Sequence, residues 1–240
     1  MTRIDIALVE RGLFPSRAKA REAIEAGLVS IDGRKVAKPS EPVGVDARIE
    51  ASAPYEWVSR GGVKLAAALD AFAIDPAGLS CLDIGASTGG FAHVLLSRGA
   101  ACVTCVDVGT GQLRPSIAAD ARVKSMEQMD ARKLSAADLQ TSPDLVVIDV
   151  SFISLDRILP HVLALAAPAA KLVALVKPQF EAGPEYVKKG VVRDEKIHAR
   201  VCAKVEKLVQ DLGWRRIGLM ASPIEGGDGN REFLIAAERK

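Results

Sequence analysis

An excess of charge of either sign is missing from this 240-residue chain, in which 32 Lys and Arg face 30 Asp and Glu for a formal net charge of +2. The sum therefore carries no nucleic-acid signal, and any basic footprint must be local. Cysteine is scarce: of Cys81, Cys102, Cys105 and Cys202, three fall inside apolar segments. That excludes a disulfide scaffold and fits a reduced, cytoplasmic chain. Cys102 and Cys105 form a C-x-x-C, but no second pair or nearby histidine completes a zinc site, so no metal is expected. The three histidines, His93, His161 and His198, are scattered over helical stretches and receive no chemistry. Long hydrophobic runs are absent too. The longest, from Val162 to Ala170, is too short for a bilayer and contains Pro168, so no membrane insertion is expected. The charged start, Met1-Thr2-Arg3-Ile4-Asp5, lacks the apolar core of a signal peptide. There are no internal repeats and no low-complexity tracts.

What is present is a 49% hydrophobic composition, enough for one substantial core and a small accessory domain. The chain changes grammar along its length. Up to about residue 50 it reads as helix, helix, hairpin. Ile4, Ala7 and Leu8 have helical spacing, Gly12 ends that helix, and Ser16 is placed to cap a second from Arg17 to Ala26. Asp32-Gly33 between Leu28–Ile31 and Lys35-Val36 is a strong hairpin signal, and Lys38-Pro39-Ser40-Glu41-Pro42 breaks the pattern. After a connector at Ala51–Trp57, strands alternate with helices. Strand-like runs lie at Ser80–Ile84, Cys102–Val108, Arg122–Glu127, Leu145–Val150, Lys171–Lys177, Arg216–Met220 and Glu232–Ala236. The fold class expected is α/β, a seven-stranded mostly parallel Rossmann-like sheet with helices on both faces, plus a small N-terminal α+β domain. The domains are placed at 1–58 and 59–240.

Within the first module, residues 1–38 hold 8 basic against 5 acidic side chains, and Arg17 and Arg21 share one helical face. The order of residues says more. Arg3-Ile4-Asp5…Leu8, Ser16-Arg17-Ala18-Lys19-Ala20, Ile24-x-x-Gly27-x-Val29-x-Ile31-Asp32-Gly33 and Lys38-Pro39-Ser40 together closely resemble the S-four RNA-binding domain. That resemblance implies binding of structured RNA through phosphates, with Arg17, Lys19, Arg21, Arg34 and Lys35 as candidates.

The strand ending at Asp83-Ile84 runs into Gly85-Ala86-Ser87-Thr88-Gly89-Gly90, a turn whose glycines let backbone N–H groups approach a ligand. It lacks the G-x-G-x-x-G spacing of dinucleotide sites, and Asp83 sets a carboxylate just before it. Asp107 ends the next strand, where a carboxylate can take two ribose hydroxyls, and Asp130 follows the third. Three acids at three successive strand ends point to S-adenosylmethionine. Ligand contacts are expected from Asp83, Gly85, Ser87, Thr88, Gly89, Gly90, Asp107, Asp130 and Asp149.

The D-x-G-x-x-x-G-G pattern of Asp83, Gly85, Gly89 and Gly90 resembles the FtsJ-like RNA 2′-O-methyltransferases, of the class I S-adenosylmethionine-dependent fold. Joined to an S-four module, the whole chain is similar to the TlyA (hemolysin A) family. Ser59–Leu65, Asp149–Ser154, Lys177–Glu181 and Gly229–Phe233 are further matches. The resemblance implies a Lys-Asp-Lys-Glu tetrad carried by Lys64, Asp149, Lys177 and Glu232. The residues agree in outline: Asp149 and Lys177 end apolar strands, Glu232 opens the last, and Lys64 begins a helix. A lysine at an apolar sheet edge is costly to keep charged, and burial or a second cation can let it act as a base. A ribose 2′-hydroxyl is a poor nucleophile that needs alignment and removal of its proton. Lys177 would take that proton, with Lys64 repelling its charge and Asp149 and Glu232 holding the ammonium groups. Ser151, Phe152 and Ser154 could shape a nucleoside pocket, and the Glu225–Asn230 turn could close over it.

The family likeness implies a cytidine of small- and/or large-subunit ribosomal RNA as substrate and ribosomal RNA or its subunits as partner; a monomer is expected, with the oligomeric state left open, and cysteine usage places the chain in the cytoplasm. Three other readings remain open here: a hemolysin-like membrane-active protein, a small-molecule methyltransferase, and a non-catalytic ribosome-assembly factor.

Overall fold

The computed structural model describes residues 1–239, and the chain divides into two compact units, Met1–Glu56 and Trp57–Lys240. The first unit opens with β1 (Thr2–Arg3), α1 (Ile4–Glu10) and α2 (Arg17–Glu25). Ser16 caps α2 by accepting the Lys19 N–H. Strands β2 (Val29–Ile31) and β3 (Arg34–Lys35) make the expected hairpin. Asp32 and Gly33 at its tip have φ of 50° and 80°, as a two-residue primed turn requires. Two strands carry no readable pattern because each is so short: β4 (Pro42–Val43) pairs with β1, and β5 (Ile49–Ala51) pairs with β2. Ile4, Leu8, Phe14, Ile24, Val29 and Val43 fill the core of this unit.

The second unit runs α3 (Gly61–Ala71), β6 (Ser80–Ile84), α4 (Gly90–Ser97), β7 (Cys102–Val106), α5 (Pro115–Ala118), β8 (Val123–Met126), β9 (Leu145–Ile148), α6 (Leu159–Ala164), β10 (Lys171–Val176), α7 (Pro178–Glu181), α8 (Glu195–Asp211), β11 (Trp214–Ala221) and β12 (Phe233–Arg239). Its seven strands lie in the order β11-β12-β10-β9-β6-β7-β8, all parallel except β12, which is antiparallel to both neighbours. This is the expected Rossmann-like sheet, on the seven expected strands. The last two are longer than their sequence pattern, because antiparallel pairing carries their register out to Trp214 opposite Arg239. The chain builds outward from β6 through β7 to β8, then returns to lay β9 on the other side of β6. That reversal makes a crevice at the carboxyl ends of β6 and β9.

Alternate residues of the central strands enter two separate apolar layers. Cys81, Leu145, Val147, Val173, Leu175, Leu234 and Ala236 join the layer formed with α3 and α4. Leu82, Val146, Ile148, Leu172, Ala174 and Ile235 join the one formed with α6 and α8. A strand repeats every two residues, so one further step along each puts Asp83, Asp149, Lys177 and Glu232 on the α3–α4 face. Lys64 lies on α3.

Candidate active site

At the end of β6 the backbone turns sharply, with φ of 81° at Gly85, 46° at Ser87 and 90° at Gly89. A Cβ on Gly85 would collide with the Asp149 carbonyl, and one on Gly90 with the Ser59 hydroxyl. The turn is therefore wedged between the end of β9 and the Ser59–Gly62 segment, a fit that only glycine allows. Asp107 fastens it from the side, accepting the N–H groups of Ser87 (2.8 Å) and Gly109 (2.7 Å).

Above these strand ends lies a cavity of about 440 Å³ whose walls include Gly85, Ser87, Asp107, Asp130 and Asp149. Five of the expected ligand residues thus share one space. Thr88, Gly89 and Gly90 complete the turn and the first residue of α4. Sequence reasoning missed four further lining residues: Val108, just past the end of β7, Gln112 and Met129 in loops, and Arg132 in a single 3₁₀ turn. Asp130 is held by Arg132, at 2.6 Å between side chains and 2.9 Å to the backbone N–H, and this guanidinium lowers its carboxyl to about 2.

Asp83 differs from its expected placement. It is fully buried, below the turn rather than on the cavity wall, because its face parity directs it under α4. Among the described residues, neither carboxylate oxygen has a hydrogen-bond partner. Burial pushes its pKa up to about 8, and the negative charge of Asp149 adds to the shift. The nearby Ala92 N–H, outside hydrogen-bonding geometry, offsets only part of it.

The four expected tetrad residues form two ion pairs. Lys64 and Glu232, both nearly inaccessible, meet at 2.5 Å. Lys177 Nζ lies 2.6 Å from Asp149 Oδ1, a charge contact outside hydrogen-bond angles, and donates to Ser151 Oγ at 2.9 Å. Each ammonium thus faces its own carboxylate, Lys64 that of Glu232 and Lys177 that of Asp149. Gly226 passes so close to Glu232 that a Cβ there would lie 2.5 Å from its Oε1. Asn230, 1% exposed, pins the Glu225–Asn230 turn by donating to the Gly190 carbonyl (2.8 Å) and accepting the Val192 N–H (3.1 Å). The Asn230 end of this turn is therefore fastened.

A glycine-wedged turn at the switch point, an acid-lined cavity and two lysine–carboxylate pairs thus meet on one sheet face. Residues 57–239 match the FtsJ-like methyltransferase model, and residues 2–49 match the S4 domain. The chain is an FtsJ-like methyltransferase of the TlyA family. It is 48% identical over 236 residues to the 16S/23S rRNA (cytidine-2′-O)-methyltransferase TlyA of Mycobacterium tuberculosis, covering 97% of this chain and 88% of the relative. It is 36% identical to Hemolysin A of Brachyspira hyodysenteriae, covering 97% and 98%. A solved candidate hemolysin of Streptococcus thermophilus superimposes with a TM-score of 0.80 at 42% identity, covering 99% of this chain and 88% of the other.

In this FtsJ-like unit, Trp57 and Val58 pack on the methyltransferase side. Val58 donates its N–H to His93 Nδ1 (3.1 Å), and the Trp57 ring meets that imidazole edge-on at 5.5 Å. In the S4 domain the five candidate RNA contacts are not equivalent. Arg17 binds the buried Asp5 at 2.8 Å, and with Arg3, the stronger partner, it holds that carboxyl down at about 2. Lys19 lies 3.8 Å over the Tyr55 ring, and Arg34 pairs with Glu41 at 2.8 Å. Arg21 and Lys35 are exposed.

Proposed function

We propose that this enzyme methylates a ribose 2′-hydroxyl, in a cytidine of small- or large-subunit ribosomal RNA, with S-adenosylmethionine as donor, and that it does so in the cytoplasm. The observation that carries the reading is Lys177 held between Asp149 and Ser151 beside the acid-lined cavity at the switch point. The names of the curated relatives supply the nucleotide and the kind of RNA.

The residues present fit the donor. Asp83 keeps two buried oxygens without partners, and a cationic ligand above the turn compensates that charge. Asp107 and Asp130 offer acceptors on the wall to ribose hydroxyls and to the adenine amino group, and Gly85 keeps the turn close to Asp149. Bound there, S-adenosylmethionine supplies an electrophilic methyl group on a sulfonium. The rest is the work of the chain. Lys177 orients the 2′-hydroxyl through Nζ and, as the free amine left once its ammonium gives up a proton to water, takes the hydroxyl proton. Asp149 stabilises the ammonium that results, and Ser151 fixes the direction of Nζ. Lys64 and Glu232 hold α3 to the start of β12 with their charges matched, so that face stays rigid. Arg17, Lys19, Arg21, Arg34 and Lys35 bring the RNA by its phosphates.

The test is methyl transfer from labelled S-adenosylmethionine to purified ribosomal subunits, followed by alkaline hydrolysis. A 2′-O-methyl group removes the nucleophile of that hydrolysis, so label should remain in alkali-resistant dinucleotides. Label on bases, or only on small molecules, would overturn the reading. The membrane-active alternative draws on the names of relatives such as Hemolysin A and the candidate hemolysin of Streptococcus thermophilus, and among the described residues no helix is long and apolar enough to cross a membrane.

A further inference from the structure

The segment from Ser151 to Leu155 joins the end of β9 to α6 and contains a residue in an unusual backbone state. Phe152 has a φ of 64° and is 92% exposed. L side chains seldom adopt that region, and a bulky residue keeps it only where its surroundings enforce it. The near end of the segment is held by the donation of Lys177 Nζ to Ser151 Oγ. The far end is held by Glu181, the last residue of α7, whose Oε1 accepts the Leu155 N–H at 2.6 Å. Lys177 and the four-residue helix that starts right after it therefore carry the two fastenings. Phe180 adds a third contact, its ring 5.2 Å from that of Phe152.

Glu181 is costly to place here. Its side chain is 2% exposed, and burial raises its carboxyl above the ordinary range. Lys204 of α8 offsets that burial, reaching Oε2 at 3.5 Å while also facing Asp156 at 3.6 Å. Asp156 in turn accepts the Ser154 hydroxyl at 2.5 Å. The methyl-transfer chemistry described above makes no use of Glu181.

We propose that Glu181 is a positioning residue for methyl transfer, fixing the far end of the Ser151–Leu155 segment and so holding Phe152 in its left-handed conformation beside Lys177. The proposal rests on the ribose-methylation reading only for its kinetic consequence; its structural consequence stands without it.

The experiment uses full-length chains with fluorine-labelled phenylalanine, so that the Phe152 signal reports its own conformation without RNA. Glu181→Met keeps the volume and removes the acceptor, and Glu181→Gln keeps an acceptor for Leu155 without the charge. Glu181→Ala replaces the Met variant should that melt without cooperativity. The expected result is a shifted or multiple Phe152 signal in Glu181→Met and a near-native signal in Glu181→Gln. With ribosomal RNA as substrate, Glu181→Met should lower kcat/KM by roughly ten- to a hundredfold. S-adenosylmethionine affinity should change little, and Gln should restore most of the rate. Adding Glu181→Met to Phe152→Ala should cost little more than Phe152→Ala alone. A Phe152 signal unchanged by Glu181→Met overturns the proposal whatever the activity. So do independent multiplicative losses in an active enzyme, or a Gln variant as defective as Met. An inactive wild-type chain with the expected spectral changes counts against the ribose-methylation reading instead.

Discussion

Lys177 sits where a buried strand meets the site, and its two neighbours define its role. Asp149 at 2.6 Å and Ser151 at 2.9 Å leave one direction for a substrate hydroxyl. Lys177→Ala is expected to lower methyl transfer by roughly 10²- to 10⁴-fold while leaving S-adenosylmethionine binding nearly intact, read by rapid-quench turnover and equilibrium dialysis. Asp83 carries a pH signature. Its folded pKa, about 8, lies above that of an unfolded carboxyl, so the ligand-free fold binds the extra proton. Its contribution to stability is fully present below the unfolded value and is lost as pH rises through about 8. The melting temperature of ligand-free protein should therefore drop between pH 5 and pH 8 more steeply than that of Asp83→Asn. A bound cation above the turn lowers the same pKa, so S-adenosylmethionine binding near neutrality should release part of a proton. Calorimetry in two buffers of different ionisation enthalpy measures it. Asp83 also marks a limit of sequence reading. Its acidity and position at a strand end were legible, but its burial was not, because that follows from which face of β6 it takes and from the packing of α4 over it.

At the scale of elements, period-two alternation brings the site together. Leu145 and Val147, Val173 and Leu175, and Leu234 and Ala236 all enter the layer beneath α3, and Asp149, Lys177 and Glu232 continue those three rows. The strands and the tetrad candidates were readable in sequence, but the shared face needed the strand order, which no local pattern contains. The turn after β6 was readable from its glycines. Its reason was not, since the obstacle at Gly85 is the carbonyl of Asp149, distant in sequence. Gly85→Ala is expected to displace the turn, because φ there is 81° and the added Cβ meets backbone that cannot move aside. Isothermal titration should show S-adenosylmethionine binding weakened at least tenfold, about 1.4 kcal/mol, in a chain that still melts cooperatively. Binding at wild-type strength would contradict the account of the turn. The cavity-lining Gln112 and Met129, and the strut at Glu181, were invisible for a plainer reason: they sit in loops or at the end of a four-residue helix, where periodicity carries no information.

At the scale of the whole molecule, a near-neutral chain joins a catalytic unit to an S4 domain with a local basic face. Composition could not reveal that partnership, whereas the order of residues within the first fifty could. Not every basic residue there is equally available, since Arg17 is tied to Asp5 and Arg34 to Glu41, while Arg21 and Lys35 stand exposed. Arg21→Glu with Lys35→Glu should weaken binding to ribosomal RNA and flatten its salt dependence, the log–log slope falling by about 0.7 to 0.9 for each phosphate that is no longer neutralised. S-adenosylmethionine affinity should stay the same, and filter binding across a salt series checks the RNA side while equilibrium dialysis checks the donor. The central claim is that this chain places a methyl group on a ribose oxygen of ribosomal RNA. Mass-spectrometric mapping of ribosomal RNA from both subunits, after incubation with the protein and S-adenosylmethionine, tests it most directly. A methyl group is expected on the ribose of a discrete cytidine, absent when Lys177→Ala replaces the wild-type chain. Methylation confined to a base, or no new methyl group on either subunit's RNA, would contradict it.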